Sequence, residues 1–219
     1  MQLKVYHSFG EKTTFFTLFL KKYKIFPAAG EILRPAIDIF FSFSYNRIRM
    51  KNIVLIGMPS SGKSTAGVLL AEKLGYTFLD CDDLIREAEH ATLPQLISRY
   101  GAEGFLRIEG RVNRELSAQR SVIATGGSVV YCDDAMEHLR SIGLLVYLKI
   151  SEEEVNRRIP SLELRGVVMR GEVKTVSDLY RERVPLYEKY ADLTIDCTGL
   201  DLERTVEKIV EGVTECGLS

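Results

Sequence analysis

The sequence predicts an α/β protein in which a parallel sheet lies between two layers of helices. Three observations carry this. From Met50 onward, short apolar runs alternate with segments of helical periodicity. The runs Val122-Ile123-Ala124 and Leu144-Leu145-Val146-Tyr147-Leu148 are continuously apolar, as strands buried on both faces are. The first run, Ile53-Val54-Leu55-Ile56, enters a glycine-bounded turn that opens directly into a helical pattern, the usual join in such sheets.

In chain order the strands are expected at 52–57, 77–80, 121–125, 143–149 and 192–196. Helices are expected at 63–74, 83–90, 93–119, 133–141, 151–158, 175–190 and 201–214. Gly101 and Gly104 should break the segment 93–119 into two helices. Residues 159–174 show no clear period and contain Arg165, Gly166, Arg170 and Gly171, which suits a basic lid closing over phosphates. There is no internal repeat and no low-complexity linker.

The chain has 219 residues, 46% apolar and 27% charged, enough for one well-cored domain. A net charge of −1 supplies no field that would favour nucleic acid, so no nucleic-acid partner is expected. Cys81, Cys132, Cys197 and Cys216 are widely spaced, which fits reduced thiols in a cytoplasmic protein better than a disulfide frame or a zinc site. No apolar run approaches the roughly 18 residues that span a bilayer, so stable membrane insertion is not expected.

Residues 1–49 differ from the rest and are read as an extension to a domain covering 50–219. They hold eight of the ten Phe, and their eight basic and three acidic residues leave the remainder at net −6. A start codon set too early is the favoured explanation. An organelle-targeting segment is a second, although Arg and Ser are too few for a typical transit peptide. An interfacial anchor built on Phe15-Phe16-Thr17-Leu18-Phe19-Leu20-Lys21-Lys22 is a third.

Residues 57–64, Gly-Met-Pro-Ser-Ser-Gly-Lys-Ser, match G-x-x-x-x-G-K-[ST], the phosphate-cradling P-loop. Strand, turn and helix N-terminus together aim backbone N–H groups at one point. Lys63 is placed to reach the outer phosphates of a nucleoside triphosphate, and the Ser64 hydroxyl to ligate Mg²⁺. The second strand ends in Asp80-Cys81-Asp82-Asp83, at the sheet edge where ligands gather. Asp80 and Asp82, two apart in extended chain, should point the same way, one toward the metal and one toward an acceptor hydroxyl. Alternatively, Asp82 or Asp83 simply caps the next helix. The third strand runs into Thr125-Gly126-Gly127-Ser128, which allows close approach by a ligand or serves as an ordinary tight turn. Arg158, Arg165 and Arg183 follow, each suited to an anion and none diagnostic alone.

Taken together, the P-loop, Asp80-x-Asp82, Ala124-Thr125-Gly126-Gly127, the Arg158/Arg165 pair and Arg183-Val184-Pro185-Leu186-Tyr187 resemble the shikimate kinase family over residues 51–214. The resemblance implies a P-loop NTPase of the nucleoside-monophosphate-kinase-like type, a three-layer sandwich whose five-stranded parallel sheet is ordered 2-3-1-4-5. It implies transfer of the γ-phosphate of ATP to the 3-hydroxyl of shikimate by a protein expected to be a monomer. Gly57, Ser60, Ser61, Gly62, Lys63, Ser64 and Thr65 would wrap the phosphates, with Ser64 and Asp80 on Mg²⁺. Asp82 would hydrogen-bond the acceptor hydroxyl as base or orienting group, and Gly126 and Gly127 would line the acceptor pocket. Arg158 would pack on adenine, Arg165 would reach the phosphates from the lid, and Arg183 would grip the acceptor's carboxylate.

Three positions depart from the family pattern. Leu106 occupies the arginine slot of Phe-Arg-x-x-Glu in Phe105-Leu106-Arg107-Ile108-Glu109, Ser128 replaces a third glycine, and Gly166 replaces a proline. The phosphate-handling half is therefore intact and the acceptor half altered. Shikimate could be held by Arg183 with help from Arg107. Another small hydroxylated metabolite, such as homoserine or a sugar acid, could instead place a less charged part against Leu106. A nucleotide-binding module without catalysis is the third reading, disfavoured because Lys63, Ser64, Asp80, Asp82 and Arg165 are all present.

Overall fold

The computed structural model describes residues 52–159, 167–169, 171 and 175–216. The extension 1–49, Arg165, Gly166 and most of the expected lid fall outside the described residues.

Strand β1 (Asn52–Ile56) is buried along its whole length and forms the centre of the sheet. It leads through the glycine-bounded loop into α1 (Lys63–Leu74), which Gly75 closes in a left-handed conformation. Next come β2 (Thr77–Asp80), α2 (Cys81–Glu89) and the long α3 (Leu93–Glu115). The chain continues through β3 (Ser121–Ala124), a 3₁₀ turn at Val129–Tyr131, α4 (Asp133–Ile142) and β4 (Gly143–Lys149). It ends with α5 (Glu152–Arg158), α6 (Val176–Tyr190), β5 (Leu193–Asp196) and α7 (Leu202–Glu215).

All strand pairings are parallel, in the order β2-β3-β1-β4-β5. The crossover from β1 to β2 runs toward one edge and that from β3 to β4 toward the other. Because such crossovers are right-handed, α1 and α4 cover opposite faces. α1 packs with α7, while α4 and α6 pack on β4. The reversal falls between β1 and β3, so the loops leaving those two strands flank a crevice, the place where open α/β sheets bind ligands. At the other end, the Asn52 amide donates to Ala118 O and Ile142 O and its oxygen accepts from Ser121 N, tying three segments behind the site.

Two expectations need correction. The second helix begins at Cys81, two residues early, because Asp80 accepts from the Asp82 backbone N–H and is itself the cap. Asp80 and Asp82 therefore straddle a strand–helix junction instead of sharing an extended face. Within α3, Gly101 does break the helix, at φ 68°, but Gly104 stays helical. A Cβ on Gly104 would come within 2.5 Å of Tyr100 Cβ, so its smallness serves packing at the kink. The arm formed by α2 and α3 has a small core of its own, Ile85, Leu96, Phe105 and Val168, separate from the main core.

Candidate active site

The P-loop takes its shape from backbone that most residues avoid. Gly57 and Gly62 have φ of 146° and 96°, and a Cβ on Gly57 would sit 2.8 Å from Leu148 O. Lys63 enters the loop from the first turn of α1. Its Nζ donates to Gly57 O and Met58 O, each at 2.9 Å. Burial pulls its pKa down to about 8, with Asp82 opposing the shift. The next residue, Ser64, donates its hydroxyl to Asp80 Oδ2 at 2.6 Å. One carboxylate oxygen of Asp80 thus caps α2 while the other meets the serine. Asp82, in the first turn of α2, lines the cavity. Burial and the neighbouring Asp80 push its carboxyl up, against the pull of Lys63 and Arg86.

The opposite wall comes from the bend after β3. A Cβ on Gly126 would lie 2.1 Å from Glu109 Oε1 and 3.1 Å from Asp82 Oδ1, and one on Gly127 would lie 3.0 Å from both Arg183 Nη1 and Pro59 Cδ. The paired glycines are therefore required by two carboxyls and a guanidinium crowding the bend. Tyr187 fixes the bend by donating to Gly127 O at 2.6 Å, and its ring stacks on Tyr147 of β4 at 5.2 Å. Arg183 is buried, with Nε donating to Tyr131 Oη at 3.1 Å and Nη2 to Val168 O at 2.6 Å.

These walls enclose a cavity of about 580 Å³ that brings together Ser60, Gly62, Lys63, Ser64, Thr65, Asp82, Gly126, Gly127, Arg158 and Arg183. Asp80 joins them through its bond to Ser64. Gly57 and Ser61 shape the loop behind, where Ser61 N donates to Met58 O at 3.1 Å. Arg158 donates to Ser60 O and pairs with Glu154, holding the loop to α5. It also borders a smaller hollow of about 210 Å³ formed with Gly62, Thr65, Leu200 and Leu202.

Sequence reasoning missed Glu109. It lines the cavity from α3, only 1% exposed, and accepts a 2.6 Å hydrogen bond from the Ser128 hydroxyl. Burial pushes its carboxyl up to about 7, partly offset by that bond. The available signal was its spacing from Phe105, since i and i+4 share a helix face. The same geometry corrects the readings of Leu106 and Arg107. Arg107 lines a separate groove with Arg111 and Arg114 and does not assist Arg183, and Leu106, in the arginine slot, lines the same groove, so α3 gives the acceptor chamber no second arginine.

A phosphate cradle facing a chamber with carboxyls for hydroxyl groups and an arginine for an anion belongs to the P-loop kinases that phosphorylate small metabolites. Comparison with known proteins narrows this class. The family model "Shikimate kinase" matches residues 59–214. A shikimate kinase of Thermodesulfovibrio yellowstonii is 37% identical over 164 residues, covering 74% of this chain and 94% of that protein. One from a Synechococcus strain is 36% identical over 168 residues, covering 75% and 85%. Among solved structures, a shikimate kinase from Acinetobacter baumannii in complex with shikimate superposes with a TM-score of 0.71 at 31% identity, covering 80% of this chain and 99% of that one. The chain belongs to the shikimate kinase family.

Proposed function

We propose that this protein transfers the γ-phosphoryl group of Mg-ATP to the 3-hydroxyl of shikimate. The observation that carries the reading is the presence of Asp82 and Arg183 in the same cavity as Lys63 and Ser64. Phosphoryl transfer asks little of a protein beyond positioning and charge neutralisation. The N–H groups of the loop and of the α1 N-terminus cradle the β- and γ-phosphates, and the Lys63 ammonium neutralises charge on the transferred group. The acceptor oxygen attacks in line. Its proton passes to Asp82, whose raised pKa favours receiving it, while the bond from the γ-phosphorus to the bridging oxygen breaks and ADP departs. Arg183 holds the acceptor's carboxylate by a charge-assisted pair. Arg158 borders the smaller hollow, where adenine is proposed to lie, and Arg165 is proposed to reach the phosphates from the lid.

A magnesium ion suits the donors present. The Ser64 hydroxyl and Asp80 carboxylate are hard oxygens already in contact, and among the described residues no cluster of three or more His, Cys, Asp or Glu offers an all-protein cage. Mg²⁺ is usually held by one or two such groups plus substrate phosphates. Bound there, it would neutralise charge on the β- and γ-oxygens.

A monomeric cytoplasmic enzyme is part of the proposal. Cys81, Cys132, Cys197 and Cys216 are all free thiols, and among the described residues no helix is long and apolar enough to cross a membrane. The test is ATP consumption by the full chain with shikimate, homoserine and sugar acids offered separately. Robust turnover of shikimate alone is expected. Turnover only of another acceptor would reassign the substrate, and tight ATP binding with no turnover would leave a nucleotide-binding module.

A further inference from the structure

Arg183 is held at both ends of its guanidinium. Nη2 is fixed by Val168 O, and the Nε edge rests on Tyr131, whose hydroxyl accepts its hydrogen bond and whose ring lies beneath Cζ at 5.1 Å from the centroid. Nη1 is left against Gly127, on the wall of the acceptor chamber. Tyr131 comes from the 3₁₀ turn after the Gly126-Gly127 bend, so it moves with that wall. The phenol oxygen keeps lone pairs for a guanidinium donor, and here it accepts from Nε.

The arrangement gains importance from what α3 does not supply. Leu106 stands in the slot where the family pattern has a second arginine, and Arg107 faces the outer groove. An arginine side chain has four freely rotating torsions, and a ligand that must order them binds more weakly than one meeting a fixed fork. We propose that Tyr131 is a positioning residue, which compensates for the missing second arginine by presenting Arg183 in one orientation to the acceptor's carboxylate. This rests on the reading that Arg183 grips that carboxylate.

The test compares wild type, Tyr131→Phe, Arg183→Lys and the double variant as full chains. It measures kcat and KM for shikimate, KM for ATP, and turnover of the shikimate analogue carrying CH₂OH in place of the carboxylate. Phe keeps the ring and removes only the hydroxyl. Tyr131→Phe should raise the shikimate KM about 3- to 10-fold, less than the roughly 10- to 100-fold of a lost hydrogen bond to a charged group, because the hydroxyl orients Arg183 and does not itself touch the acceptor. ATP KM and kcat should stay within about twofold, and the preference for carboxylate over CH₂OH should narrow. In the Arg183→Lys background the same change should add nothing, because Lys has no Nε edge to hold. A raised KM in Arg183→Lys with no change in Tyr131→Phe would overturn the role of Tyr131 alone. So would a Tyr131→Phe effect equal for both acceptors and ATP, which marks a structural role. An unchanged shikimate KM in Arg183→Lys would overturn the assignment of Arg183 itself.

Discussion

Replacing Glu109 by Gln should make this protein more stable at alkaline pH while changing little in acid. Burial moves the Glu109 carboxyl from 4.5 to about 7. Below 4.5 the group is protonated in both folded and unfolded chains and has no effect on the balance between them. Between 4.5 and 7 the unfolded chain ionises first, so the folded state binds more protons and its stability falls as pH rises. Above 7 the penalty is complete. At 1.36 kcal/mol for each unit of displacement it reaches about 3 kcal/mol, of which roughly 2–3 kcal/mol develops between pH 5 and 8. Gln keeps the shape and an oxygen able to accept from Ser128, yet never ionises. The stability gap between variant and wild type should therefore shift toward the variant by that amount from pH 5 to pH 8. At about 2–4 °C per kcal/mol for a chain of this size, this is on the order of 5–10 °C. Urea midpoints of both proteins at the two pH values measure it, and comparing the two removes the titration of Asp82, which they share. An equal gap at both pH values, or one moving toward wild type as pH rises, would refute the burial argument.

Lys63→Ala should abolish turnover, since no other group neutralises the transferred phosphoryl from inside the loop; near-normal kcat in a coupled ADP assay would contradict this. Asp82→Asn should lower kcat by about 10²–10⁴-fold, the usual contribution of general-base chemistry, and leave ATP affinity nearly intact by calorimetry. Loss confined to ATP binding would count against its role. Gly126→Ala should displace Glu109 and crowd Asp82, given Cβ distances of 2.1 and 3.1 Å, and raise the shikimate KM well above that for ATP. Gly143→Ala probes the other end of the sheet, where a Cβ would meet Asn52 O at 2.8 Å. It should cost about 1–3 kcal/mol of stability by denaturation and leave both KM values unchanged.

The architecture was largely legible because strands buried on both faces are continuously apolar, so β4 falls at its expected residues. The phosphate-binding half was legible for a different reason, because a loop that needs positive φ at Gly57 and Gly62 leaves its mark in local sequence. The acceptor half was legible only in part, since it forms between segments far apart in the chain: Asp82, Gly126, Gly127 and Arg183 line the cavity as expected, but Glu109 was missed. Apart from its i, i+4 spacing from Phe105, nothing local distinguishes Glu109 from the charged residues that commonly face solvent on a helix, and its burial follows from how α3 packs against the bend carrying Ser128. The start of α2 was misplaced because Asp80 both ends a strand and caps a helix, and propensity alone does not say which of three nearby aspartates does so. One reading gave Arg107 a share in holding the acceptor, although a step along the helix turns a side chain by about 100°, and α3 does place it in the separate groove.

The hold of Lys63 on Gly57 O and Met58 O bears on how the enzyme could be blocked. Its ammonium lies on the wall of the hollow that phosphates would fill. An uncharged heterocycle there would leave that cation with only the two carbonyls, whereas an anion would give it an opposite charge to pair with. Inhibitors directed at this hollow should gain potency from a phosphonate or sulfonate, and a neutral analogue matching them in affinity would show that the ammonium is no obstacle.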